Sequence, residues 1–483
     1  MSGANVSGAV LSGEKTSILE KISFYFVSAG AVIGNGLVAG ALLLFYTNVV
    51  GLDPARIAIL FLVARVFDGV NDPIQAYIID HLPKTKLGRF RTYLMIGAIL
   101  FSINLVLVFF GPYWVSGAKL LVAWITYIML DMTSCFMTIP NDCLLPVMTD
   151  HPKDRNILSI IKGIAVTAGT LLIALPLPLL LAAMEDNLVT AFGIVVFGGA
   201  ICTVLFVSLG ALGIKERIPK KEEQKYSVKE LLKIFIERPV YALFLSYFLI
   251  NIATATAAAV GLYFFIYVVQ NLVVMPLLNV ASIIFGLIGV LFVPMLANRY
   301  GKKKSFVIGM LIMFGAMALR LIDVTNVWIL IVTAGVNTFG SSMSHPLAYG
   351  IMADNTDYVE YKTGKRAEGA VAALNSFQLK ASAGIGGVIV GYALSWSGFD
   401  PGPLGGGFVA QSPSVVNALT AMMVIFPALA ALGAAIIFFF LYPLTNEKMK
   451  EITTELHIRR GEIEEGAAPP AQEAVESDVA ESE

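Results

Sequence analysis

The chain has 483 residues, 57% of them hydrophobic and only 14% charged, with a net charge of -1 and a mean hydropathy of +0.78. A soluble protein of this size carries roughly a quarter charged residues, so the composition argues against a soluble enzyme. The neutral charge balance gives no reason to expect a nucleic-acid partner.

Apolar runs recur along the whole length, each long enough to cross a lipid bilayer as a helix. They predict an all-α membrane protein with twelve transmembrane helices, at 22–49, 56–79, 91–112, 119–146, 156–183, 189–213, 239–268, 274–297, 305–323, 328–353, 368–395 and 416–443. The first run follows Lys15 and Lys21 and exceeds the apolar region of a signal peptide, so it reads as a retained span. Its glycines Gly30, Gly34, Gly36 and Gly40 read as a close-packing surface, as do Gly384, Gly387 and Gly391 later in the chain.

Helix 56–79 carries the stretch DGVNDPIQAYIID, Asp68 to Asp80. At about 100° per residue, Arg65, Asp68 and Asp72 share one face. Pro73 cannot donate to the carbonyl of Gly69, which leaves that oxygen beside Asn71 and two carboxylates. The group suits a proton or a small cation, because ionisable residues inside a membrane are expensive and usually functional. A structural Arg65–Asp68 ion pair is the alternative.

Helix 119–146 lines up Asp131, Cys135, Thr138 and Asp142 at spacings of four, three and four, next to Pro140. This stripe is expected to line a cavity, or to leave Asp142 solvated at the cytoplasmic end. The cysteines Cys135, Cys143 and Cys202 have no metal-binding or disulfide spacing. Helix 328–353 places Asn337, Ser341, His345 and Tyr349 in a row, with His345 a candidate for substrate or proton contact, or simply a satisfied buried group. In helix 368–395, Ser376 lies beneath Lys380, whose expected counter-charge is Asp68 or Asp72.

The lysine-rich segment KERIPKKEEQKYSVKELLKIFIERP separates two halves. The expected divisions are a six-helix bundle over 1–213, a cytoplasmic middle loop over 214–238, a second six-helix bundle over 239–445 and an acidic disordered tail over 446–483. The similarity of DHLPKTKLGRFR to NRYGKKKS supports a parallel repeat, an architecture that binds solute between the halves. Cations gather in alternate connections (Lys84, Lys86, Arg89 and Arg91; Lys153 and Arg155; Arg299 and Lys302 to Lys304; Lys362, Lys365 and Arg366), against little beyond Arg56 and Lys119 opposite. Such an excess marks the cytoplasmic side, so both termini are expected in the cytoplasm, with the chain in the cell membrane. Arg89, Arg91, Lys365 and Arg366 against Asp354, Asp357 and Glu360 are candidate cytoplasmic gate pairs, although topology alone explains the cations. There is no phosphate-binding loop, dinucleotide fingerprint or zinc-ligand cluster, so neither a cofactor nor an ATP-driven pump is expected.

Two motifs carry a family resemblance. R-x-x-D-x-x-x-D-P, followed by D-x-x-x-x-x-x-x-G-R-F-R, and MADNTDYVEYKTGKRAEG, Met352 to Gly369, resemble the glycoside–pentoside–hexuronide:cation symporters. YTNVVGL, Tyr46 to Leu52, and Ile139–Pro140 agree, and the likeness spans residues 20–445. It implies the major-facilitator fold and solute uptake coupled to H+, Na+ or Li+. Compared with melibiose-carrier-like members, GAVIGNGLVAG in the first helix lacks a sugar-binding acid, and Thr138 replaces another. Cys135 stands where a cation-site threonine is found, and Lys162 stands for the second arginine of helix five; Lys380 is kept. Helical spacing and the resemblance together give Asp68, Asn71, Asp72 and Cys135 as the expected coupling residues. They give Arg65, Asp131, Thr138, Asp142, Lys162, His345, Tyr349, Ser376 and Lys380 as the expected substrate contacts. The expectation is a monomeric symporter that moves a glycoside or related small organic solute with a proton, or with Na+, by alternating access. A carrier of an amphiphilic lipid or steroid-like solute, or a non-transporting membrane sensor, are the alternatives.

Overall fold

The computed structural model describes residues 16–81, 85, 88, 90–149, 151–217, 233–364 and 367–459. In chain order the helices are α1 (Ile18–Leu44), extended by a π-helical turn at Phe45–Val50, then α2 (Pro54–His81), α3 (Phe90–Trp114), α4 (Lys119–Met148), α5 (Pro152–Ala174), α6 (Pro176–Ala183) and α7 (Leu188–Gly213). They continue with α8 (Arg238–Tyr267), α9 (Val274–Arg320), α10 (Val327–Thr363), α11 (Glu368–Ser397), α12 (Pro413–Thr420), α13 (Phe426–Leu441) and α14 (Asn446–Arg459). A second π-helical turn, Ala421–Ile425, joins α12 to α13.

Among the described residues, ten helical segments are long and apolar enough to cross a membrane, against the expected twelve. Two places account for the difference. The polar α2 is not among the ten, because Arg65, Asp68, Asn71 and Asp72 occupy its central turns. The helices expected at 274–297 and 305–323 are both present but follow one another directly within α9, because the backbone leaves the helical conformation only at Gly301 (φ 81°, ψ 161°). That backbone conformation is open to glycine at little steric cost. The tail expected to be disordered from 446 begins instead as α14, whose Ile452 and Leu456 are buried; residues 460–483 lie outside the described residues.

Helix α1 starts on a capping box, in which Ser17 N–H donates to Glu20 Oε2 at 2.8 Å and Glu20 N–H to Ser17 Oγ at 3.3 Å. Arg217 pairs with the same glutamate at 2.9 Å and so ties the end of α7 to the start of α1. In the first half, α1 packs on α5 and α7, and α3 on α4 and α7. In the second, α8 packs on α11 and α13, and α9 on α10 and α13. Large apolar side chains such as Leu287, Leu291 and Phe440 face outwards, as lipid-facing helices require.

The halves meet where α2 packs on α11 and α1 on α8. The close-packing reading holds for α11: a Cβ at Gly387 would sit 3.0 Å from Phe61, and one at Gly391 only 2.7 Å from both Ala58 and the Pro54 carbonyl. In α1 it holds for Gly30 and Gly34, which face Val207 and Phe101, but not for Gly36 and Gly40, which have nothing within 4 Å. Overpacking a tight contact costs about 1–3 kcal/mol. Gly391→Val, which must push apart backbone rather than a flexible side chain, should lower the thermal midpoint of the purified protein by several degrees. Gly36→Val should leave it unchanged.

The described hydrogen bonds between the halves gather at the end of the bundle far from both termini. Tyr263 Oη and Thr47 Oγ1 lie 2.7 Å apart, and Asn48 Nδ2 donates to Tyr267 Oη at 2.6 Å. Gly405, in the loop between α11 and α12, donates to Asn48 O at 2.9 Å and accepts from Leu188 N–H at 3.1 Å. Phe399 from the same loop packs edge-on against Tyr263 and Tyr267. That end is sealed.

Candidate functional site

Beneath this seal, between the halves, lies a cavity of about 910 Å³. It begins near Leu43 and reaches Asp142 on α4 and Ala373 on α11, residues close to the terminus end of their helices. The Asp142 side chain is 71% exposed, so water has access from that end.

The charged centre is built from α2, α4 and α11. Arg65 Nη1 donates to Asp68 Oδ2 at 2.8 Å, and Nη2 donates to Tyr127 Oη at 3.2 Å. Asp131, one helical turn beyond Tyr127, faces both Arg65 and Asp68 and is within hydrogen-bonding reach of the Asp68 carboxyl. Asp68 Oδ1 and Asp131 Oδ2 are nevertheless buried without a donor. Two carboxylates that touch with no donor between them are stable together only if a proton or another cation is shared. Cys135 lies next to both acids. Lys380 reaches the group from α11, within the electrostatic influence of Asp68 and Arg65.

The residues singled out by sequence divide accordingly. Arg65, Asp68, Asp131, Cys135, Thr138, Asp142, Ser376 and Lys380 all line the central cavity, and the Arg65–Asp68 pair offered as a structural alternative is present. Asn71 is buried and accepts a long bond, 3.4 Å, from Gln75. The side chain of Asp72 lies outside the described residues. Lys162 does not line the cavity but is bonded to Asp142 at 2.8 Å. His345 does not line it either: its Nδ1 is engaged by Tyr247 Oη, inside the second half. Tyr349, one turn further along α10, is exposed and is likewise not among the cavity residues. The helical row on α10 does not act as one face: Asn337 and His345 point into their own bundle, whereas Tyr349 is exposed.

Of the candidate gate residues, Arg91 is committed to the carbonyls of Ala211 and Leu212 at 2.7 and 2.6 Å, and Asp354 to Lys302 at 2.7 Å. These partners belong to the same half as the residue they hold. Asp357 and Glu360 lie on α10 with interactions of their own, whereas Arg89, Lys365 and Arg366 lie outside the described residues.

Sequence reading misses Asn35, Phe61, Tyr127, Ser134 and Phe377, which also line the cavity. Tyr127 does leave a signal, since it continues the Asp131 stripe by one turn. Phe61 and Phe377 give no signal of their own in an apolar helix.

Two helical halves, sealed at one end and separated at the other by a water-accessible cavity with buried charges, define a secondary transporter of the major-facilitator type rather than an enzyme. Residues 23–446 match the family described as MFS/sugar transport protein, and the chain belongs to that family. It is 30% identical to the isoprimeverose transporter of Lactiplantibacillus pentosus, with 83% of each chain covered. It is 28% identical to the glucuronide carrier protein homolog of Escherichia coli strain K12, over 90% of this chain and 94% of the relative. Among solved structures it is similar to a bacterial homologue of the lysosomal transporter Spinster, with a TM-score of 0.61, 14% identity and coverage of 90% and 96%.

Proposed function

We propose that the chain is a proton-coupled symporter for a glycoside-like solute, with Asp68 and Asp131 as the proton-binding pair. The observation that carries this reading is that two neighbouring carboxylates each keep a buried oxygen without a donor. A shared proton supplies that donor without needing further ligands. Sodium suits the centre less well, because the Arg65 guanidinium already holds Asp68 at 2.8 Å and repels a second cation. A thiol, Cys135, also stands where a hard oxygen would be needed. The cavity volume falls within the range of small-molecule sites, about 300–1,000 Å³, and the names of the isoprimeverose and glucuronide relatives support a sugar-like occupant.

Asn35, Ser134, Thr138, Ser376 and Lys380 offer polar contacts to solute hydroxyls, between the apolar faces of Phe61 and Phe377. With both termini in the cytoplasm, as the cation distribution suggests, the described state is inward-open in the cell membrane. Closure on that side would then bring together Arg89, Arg91, Lys365 and Arg366 with Asp354, Asp357 and Glu360.

Reconstituted protein tests the coupling ion. At equal pH on both sides, a Na+ gradient should leave solute accumulation unchanged, whereas an inward proton gradient should drive it. Accumulation driven by Na+ alone would overturn the proton assignment.

A further inference from the structure

The second half contains a separate cavity of about 250 Å³ lined by α8, α9, α10 and the start of α13. Arg320, in the last turn of α9, points into it while only 2% of its surface is exposed. Its Nε donates to Thr333 Oγ1 at 3.0 Å, and Thr333 in turn donates to the Ile329 carbonyl at 2.6 Å. Among the described residues the two Nη groups donate to nothing, and no carboxylate forms an ion pair with the guanidinium. The Asn337 amide and the Ser282 hydroxyl, which also make no described hydrogen bond, line the same space with the thioethers of Met313 and Met317.

A guanidinium without a counter-charge is among the most costly groups to bury in a membrane protein. A cation in the last turn of a helix is favoured by the helix dipole, but that accounts for the position of Arg320 and not for its side chain being 2% exposed and lining a cavity. The paired Nη donors match the two oxygens of one oxyanion. Asn337 and Ser282 add neutral donors, and the methionines accommodate an apolar remainder of variable shape. We propose that this cavity is a binding site for a small oxyanion, held bidentately by Arg320 and oriented by Asn337.

The site is separated from the central cavity by α8, whose Ala258 lines both. Its occupancy is therefore independent of the symport reading and can be measured without a transported solute. The experiment titrates the thermal midpoint of the purified full-length protein with acetate, butyrate, sulfate and phosphate at constant ionic strength, with chloride as the reference salt. At least one oxyanion should raise the midpoint saturably, by about 3 °C. Arg320→Lys retains the charge but not the fork, and Asn337→Ala retains Arg320; each should weaken the half-saturating concentration by about tenfold. Preference for butyrate over sulfate identifies an organic carboxylate as the occupant, and the reverse preference a free inorganic anion. The absence of any saturable rise above chloride overturns the proposal, as does an unchanged titration in both variants.

Discussion

Asp131→Asn should abolish uphill accumulation of solute while leaving exchange down a solute gradient. The amide keeps the volume of the carboxyl and leaves the Arg65–Asp68 pair in place at 2.8 Å, so the cavity keeps its shape. The amide cannot take up and release a proton, and its N–H permanently fills the place between Asp68 and Asp131 where a mobile proton would sit. Coupling free energies between two sites are about 1–3 kcal/mol, or roughly 5–150-fold in affinity. The wild type should therefore bind solute more tightly as pH falls, and the variant should bind with one affinity across the series. Asp68→Asn should also lose accumulation, but with added damage, because it removes the direct partner of Arg65. Concentrative uptake in Asp131→Asn at the wild-type level would remove this residue from the coupling step.

The second large effect is expected at Arg65. Arg65→Gln leaves Asp68 and Asp131 facing each other with no guanidinium between α2 and α4. Removing one member of a buried charged set typically costs about 3–5 kcal/mol, chiefly because the remaining charge is stranded. Folded yield and thermal midpoint should both fall sharply, and exchange should be lost. The double substitution Arg65→Gln with Asp68→Asn removes one charge of each sign and should recover most of the midpoint without recovering accumulation. A single Arg65→Gln variant as stable as the wild type would show that Lys380 alone balances the centre.

The organisation is legible in the sequence wherever a local rule decides it. Hydropathy locates the apolar helices, and the cost of burying charge is enough to single out Asp68 and Lys380. The stripe from Asp131 to Asp142 follows from helical spacing. What spacing cannot supply is the rotation of one helix against another. It puts Asp131 on the cavity face, but the approach to Asp68 depends on how α2 and α4 pack. His345 has equally good spacing, yet its ring meets Tyr247 in its own bundle. The break expected in the polar stretch after residue 297 is present as the kink at Gly301, whereas Arg320 looks like an ordinary helix-end cation beside Asp323.

The seal at the far end has a consequence for turnover. It is made from a tyrosine–threonine pair, a tyrosine–asparagine pair and main-chain bonds through Gly405, none of which involves an ion pair. Neutral hydrogen bonds of this kind contribute only about 0.5–1.5 kcal/mol each, because water replaces them when they open. The closed and open states are then separated by a small free energy that external salt hardly screens. The latch at the sealed end is one that hydration alone can release. Opening it should thus proceed at a similar pace in dilute and in saline surroundings, and a coupling ion of the kind proposed need only bias a shallow balance.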